Sequence, residues 1–84
     1  METKYEILDE RGGKTTITLY KWTADVLQIV VPNVHAWVKN TYDRVAEKYP
    51  LLTRRAKGDL VRRLASKEAE AHPEVHARIP ELQL

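Results

Sequence analysis

The run Lys14-Thr15-Thr16-Ile17-Thr18-Leu19-Tyr20 constrains this chain more than any other segment. It is rich in β-branched residues and it alternates. Ile17 and Leu19 fall on one face, with Thr16, Thr18 and Tyr20 on the other, the pattern of a half-buried strand. A lone strand cannot satisfy its own backbone donors and acceptors, so this one needs a partner. Two partners are open to it. One is Tyr5-Glu6-Ile7-Leu8-Asp9, a stretch of mixed extended character joined to it through Gly12-Gly13, a pair that accepts positive φ. The other is the same strand of a second molecule, met across a two-fold axis.

Beyond Tyr20 the period changes. Thr23 reads as the N-cap of a helix through Val26, Leu27, Val30 and Val31, with Asp25 in its first turn. Pro32 stops or kinks that helix, and Asn33 is a good cap for the next one. Val34, Trp37, Val38, Thr41, Tyr42 and Val45 then recur at helical spacing down to about Lys48. The apolar positions stay in phase across Pro32, so one kinked helix from Thr23 to Lys48 also fits. The adjacent stop and cap favour two. Pro50 closes the second helix and Thr53 caps a third, with Ala56, Leu60, Val61 and Leu64 on its apolar side. Gly58 weakens that third helix by roughly 1 kcal/mol relative to alanine.

With 84 residues the chain is a single domain near the lower size limit for a self-sufficient core, where oligomerisation often supplies the missing buried surface. It has no cysteine, which excludes disulfides and thiolate metal sites. The acidic first ten residues do not read as a signal peptide, and Ile29-Val30-Val31 is too short to span a bilayer, so a cytoplasmic protein is expected. The net charge of +2 says less than its distribution. Arg54, Arg55, Lys57, Arg62, Arg63 and Lys67 face one acid, Asp59, whereas four acids follow from Glu68 onward against Arg78 alone. A basic segment followed by an acidic tail fits either a nucleic-acid contact or a solvated helix face.

The strand from Lys14, a short helix ending near Val31, the break at Pro32-Asn33 and a helix opening Val34-His35-Ala36-Trp37-Val38 together resemble the ribbon-helix-helix family. The run Thr41-Tyr42-Asp43-Arg44-Val45 is similar to the second helix of its small Arc-type repressors. The resemblance covers about residues 14 to 49. It implies an obligate homodimer whose paired strands form a ribbon in the major groove of double-stranded DNA. Carried over to this chain, the base-contacting side chains would be Thr16, Thr18 and Tyr20. Ile17, Leu19, Leu27, Trp37 and Val38 would form the dimer core. The N-terminus of the second helix (Asn33, Val34 and His35) would hold a phosphate, and the flanking Lys14 and Lys21 would neutralise others. Tyr20 departs from the family's usual Arg, Lys, Asn or Gln readers, and the strand-to-second-helix spacing is slightly short.

The resemblance therefore implies a mainly α protein with a short N-terminal strand, a ribbon-helix-helix dimer with an extra C-terminal helix. The alternative is an α+β monomer, a β-hairpin plus helices. The corresponding segments are 1–13 (an arm or a first hairpin strand), 14–49 (the core), 50–71 (the basic third helix) and 72–84 (an acidic tail). Arg54, Arg55, Arg62 and Arg63 would add basic contacts to DNA. The expected function is a transcriptional repressor, one version being an antitoxin whose C-terminal part clamps a toxin. The competing reading is a small protein-binding module or inhibitor. Nothing points to an enzyme or a cofactor. The histidines are scattered, His72 and His76 are separated by Pro73 without a third ligand, and Gly12-Gly13 is too short for a phosphate loop.

Overall fold

The computed structural model describes residues 2–71. The strand finds its partner within the chain. β1 (Glu2–Leu8) pairs antiparallel with β2 (Lys14–Tyr20) in a register that sets Tyr5 opposite Ile17 and Glu6 opposite Thr16. Three helices follow: α1 (Lys21–Val30), α2 (Val34–Lys48) and α3 (Arg54–Glu70). The architecture is α+β, a hairpin laid on a helical layer.

The connection explains why pairing is local. Asp9 N–H donates to the Gly13 carbonyl at 2.7 Å and Gly12 N–H to the Asp9 carbonyl at 3.0 Å, closing a tight turn around Glu10 and Arg11. Gly12 takes φ +79°, which side chains with a Cβ resist. The Asp9 carboxylate accepts from the N–H groups of Arg11 (2.9 Å) and Gly13 (2.8 Å), fixing the loop from inside.

The strand alternation holds. Ile7, Ile17 and Leu19 are buried against the helices, while Lys4, Glu6, Thr16 and Tyr20 face outward. Ile17, Leu19, Leu27 and Val38, which the family pattern assigns to a core shared between two copies, are already buried inside one chain, and Trp37 packs half-buried against them. Trp22 packs on a smaller cluster of Val26 and Ala69.

Two helices, not one kinked helix, flank Pro32. Val31 is extended, and the Asn33 side chain accepts from Ala36 N–H at 3.0 Å as the N-cap of α2. Thr53 caps α3 in the same way, accepting from Ala56 N–H at 3.1 Å. Thr23 does not cap α1. The helix starts straight from the last ladder pair, Glu2 with Tyr20, so its boundary falls at Tyr20 and Thr23 is buried within the first turns. Asp25 accordingly lies beyond the first turn, paired with Lys21 at 2.7 Å.

The buried stripe of α3 also differs from the expected one. It consists of Lys57, Val61, Ala65 and Ala69, whereas Leu60 is half-buried and Leu64 is exposed. Small side chains face inward because α3 approaches the sheet and α1 closely. A Cβ on Gly58 would lie 3.3 Å from Ile17 Cδ1. Gly58 costs helix propensity but permits that approach. Among the described residues no helix is long and apolar enough to cross a membrane.

Candidate nucleic-acid interface

An antiparallel ladder alternates between residues that aim their backbone groups at the partner strand and residues that aim them away. The Asp9–Gly13 bond sets the phase, so Glu6 and Thr16, and Lys4 and Thr18, turn their backbone groups outward. His35 confirms it from β1, its Nε2 donating to the outward Glu6 carbonyl at 2.6 Å. On the other flank, β2 pairs with no second strand among the described residues, and α3 runs beside it.

Between β2 and α3 lies a cleft of about 460 Å³ that brings Thr16 and Thr18 together with Arg54, Arg55 and Arg62. A second depression of about 490 Å³ continues it, with Tyr20, Arg62, Arg63, Ser66 and Lys67 on its walls. Arg62 and Asp59 line both, so the two form one track. Positions 55, 59, 62, 63 and 66 share one face of α3 at helical spacing, which is why residues eleven apart in sequence flank a single strand edge. Arg54, Arg55, Arg62, Arg63 and Lys67 stand against Asp59 along this track.

The cations are not equivalent. Arg55, Arg63 and Lys67 have no ion-pair partner among the described residues. Arg62 sits 5.4 Å from the Tyr20 ring, with only long contacts to Asp59 (3.8 Å) and Glu2 (3.9 Å). Arg54 and Lys57 are already employed. Arg54 donates to Asp9 at 2.7 Å and the buried Lys57 to Glu10 at 2.8 Å, latching the hairpin turn onto the first turns of α3.

This latch is acid-sensitive. The Asp9 carboxyl is held below the usual carboxylate range, mainly by the N–H groups of Gly13 and Arg11, with the Arg54 guanidinium adding to them against the opposing effect of burial. Glu10 is lowered chiefly by its hydrogen bond from Lys57. Both carboxylates hold a proton less tightly folded than unfolded, so the unfolded chain binds more protons as pH falls. The latch's contribution is therefore full above about pH 5 and is lost as pH drops toward the depressed native values. Thermal melts of wild type and Asp9→Asn between pH 7 and pH 3 should start apart and converge at low pH. Parallel curves would show that Asp9 carries none of the acid sensitivity.

The structure thus unites Thr16, Thr18 and Tyr20 with Arg54, Arg55, Arg62 and Arg63, but it separates them from the expected phosphate site. Asn33 spends its side chain on its own helix, Val34 is buried, and His35 is bound to β1, on the opposite flank from the track. Lys14 lines a different depression with Leu8, His35 and Lys39. Lys21 is paired with Asp25 and lines no part of the track. Ser66 and Lys67 extend the track beyond the contacts anticipated, and the pairing of Asp9 and Glu10 with Arg54 and Lys57 is a contact that sequence reading missed. The signal for it was faint: adjacent acids in a turn, matched by two cations three apart at 54 and 57. His72, His76 and the acidic tail lie outside the described residues. Compared with protein-family models, with curated proteins and with solved structures, this chain matches none.

Proposed function

We propose that the protein binds double-stranded DNA through the β2–α3 track, as a cytoplasmic transcriptional repressor. The observation that carries this reading is the convergence of Arg55, Arg62, Arg63 and Lys67 with the outward side chains of Thr16, Thr18 and Tyr20 on one strand edge. The cations would sit on phosphates and supply affinity, and the hydroxyls would reach base edges. The ribbon is built by one chain, which supports an approach from its β2 side. On the outward face Glu2 and Glu6 outnumber Lys4 in β1, opposite Tyr20, Thr16 and Thr18, so the less acidic β2 half would face the duplex. The reading keeps the regulator class of the ribbon-helix-helix resemblance but not its strand exchange.

Anisotropy of a labelled mixed-sequence duplex, titrated from 50 to 200 mM salt, tests it. Four phosphate contacts per chain give a log–log salt slope of about −3.6. Arg55→Ala with Arg63→Ala should reduce that slope by about 2 while leaving the melting temperature unchanged, because neither residue has an ion pair to lose among the described residues. No binding at 50 mM salt sinks the proposal.

The intramolecular hairpin favours a second reading, a protein-binding module. The outward backbone groups of Thr16 and Thr18 are an open template for an added strand, and the basic wall of α3 selects an acidic one. An acidic peptide that binds where duplex DNA does not would establish this reading in place of the first.

A further inference from the structure

Among the cations left open along the track, Arg62 is held in place and the others are not. Its side chain is half-buried, whereas Arg55, Arg63 and Lys67 are exposed and have no ion-pair partner among the described residues. Its guanidinium carbon lies 5.4 Å from the centre of the Tyr20 ring, inside cation–π range. Asp59 at 3.8 Å and Glu2 at 3.9 Å flank it, both too far to accept a hydrogen bond. Among the described residues no hydrogen bond engages Arg62, so its planar fork of N–H donors is unspent. Arg62 lines both depressions, so this fork sits where they join. Tyr20 has little else to do in the fold. It ends β2 and makes no side-chain cap bond to α1, it stands half-exposed opposite Glu2, and it belongs to neither buried cluster. A ring left half in water has given up much of the burial for which aromatic residues are normally used.

We propose that Tyr20 is a positioning residue whose ring holds Arg62 as a ready-made fork for one backbone phosphate at the junction of the two depressions. The assignment rests on the DNA reading of the track and says how its cations divide the work. An arginine free in water must give up rotamer freedom when it grips a ligand, and one already held over a ring has lost that freedom on folding. The flanking carboxylates are themselves exposed, so they restrain the guanidinium without saturating its charge. A phosphodiester offers two oxygens in the spacing of the guanidinium fork, so the unspent donors match it in pairs. Arg55, Arg63 and Lys67 add charge from the exposed rim and are ordered only by the duplex. The role given to Tyr20 belongs to its ring and is separable from any base contact of its hydroxyl.

A double-mutant cycle between Tyr20 and Arg62 tests it, read by anisotropy of the labelled mixed-sequence duplex. Tyr20→Leu keeps an apolar side chain without the ring and should weaken binding about two- to fivefold. The salt slope should stay at its wild-type value, because Arg62 still meets its phosphate. Tyr20→Phe brings the ring back and should recover most of that loss. Arg62→Ala should lower the slope by about 1, and adding Tyr20→Leu to it should cost nothing further. In the free protein, the side-chain methylene protons of Arg62 should carry an upfield ring-current shift in the nuclear magnetic resonance spectrum. Tyr20→Phe should keep that shift and Tyr20→Leu should lose it. A wild type that binds duplex without showing the shift overturns the assignment. So does a Tyr20→Leu variant that binds as tightly as wild type, or one whose loss persists in full without Arg62. A Tyr20→Phe variant as weak as Tyr20→Leu overturns it too, by handing the effect to the hydroxyl. A ring that served stability alone would lower the melting temperature and leave the affinity of the folded chain unchanged. Failure of the wild type to bind duplex at 50 mM salt is a different result, since it removes the DNA reading and the assignment with it.

Discussion

Removal of residues 2–12, keeping the initiator methionine, is expected to leave a chain that does not fold cooperatively at 25 °C. The deletion takes away the only strand paired with β2 among the described residues, exposing backbone groups that the ladder satisfied. It removes Ile7, whose buried side chain contributes about 1.5–3 kcal/mol, and Tyr5, which packs beside it. It also removes Asp9 and Glu10, leaving Lys57 as a buried ammonium without its carboxylate. A domain of this length has a total stability of only about 4–13 kcal/mol, so these losses together exceed its reserve. Far-ultraviolet circular dichroism and urea unfolding would show a broad, non-cooperative response. A truncated chain that still melts sharply, at twice the monomer mass, would mean that β2 can pair with its own copy.

The expected response to that deletion marks the point where sequence reasoning divided. Alternation in Lys14–Tyr20 sufficed to place Ile17 and Leu19 inward and Thr16 and Tyr20 outward. It could not name the partner strand, because either pairing satisfies the same backbone. The decision lay in the turn, where Asp9 collects two N–H groups and Gly12 supplies a positive φ. Caps with a side-chain oxygen and a preceding proline or loop, Asn33 and Thr53, were legible because the capping bond is local. Thr23 was misleading for a related reason. It looks like a cap, but the end of the ladder, fixed by residues far upstream, sets the helix boundary. In α3 the bulk of the side chains misdirected the reading. Apolar size suggested Leu60 and Leu64 as the inner face, whereas close approach at Gly58 calls for alanines there. The basic run was visible as composition. Its division into latch (Arg54, Lys57) and open track (Arg55, Arg62, Arg63) depends on contacts 45 and 47 residues apart, which no local pattern encodes.

The same alternation should separate stability from recognition at neighbouring positions of one strand. Leu19→Ala is expected to cost about 3 kcal/mol, within the range for a buried leucine that leaves a cavity, and to lower the melting temperature by roughly 12–24 °C. Leu19 is 1 % exposed and belongs to the same cluster as Leu27, Val38 and Tyr42, so little can collapse into the vacated space. Thr16→Ala, three residues away on the outward face, should change stability by no more than about 0.5 kcal/mol. Its effect belongs to the track: it removes a hydroxyl from the cleft wall but no cation, so it should alter preference among duplex sequences and leave the salt slope unchanged. Chemical denaturation of both variants, with duplex titration of Thr16→Ala, reads the two effects separately. If Thr16→Ala proves as destabilising as Leu19→Ala, the outward face is packed against something and cannot be the recognition surface. If it shifts the salt slope instead, the threonine edge is acting only through the cations beside it, and base-edge contact by Thr16 is ruled out. A change in preference at constant slope is the result that assigns β2 to base recognition and α3 to the backbone.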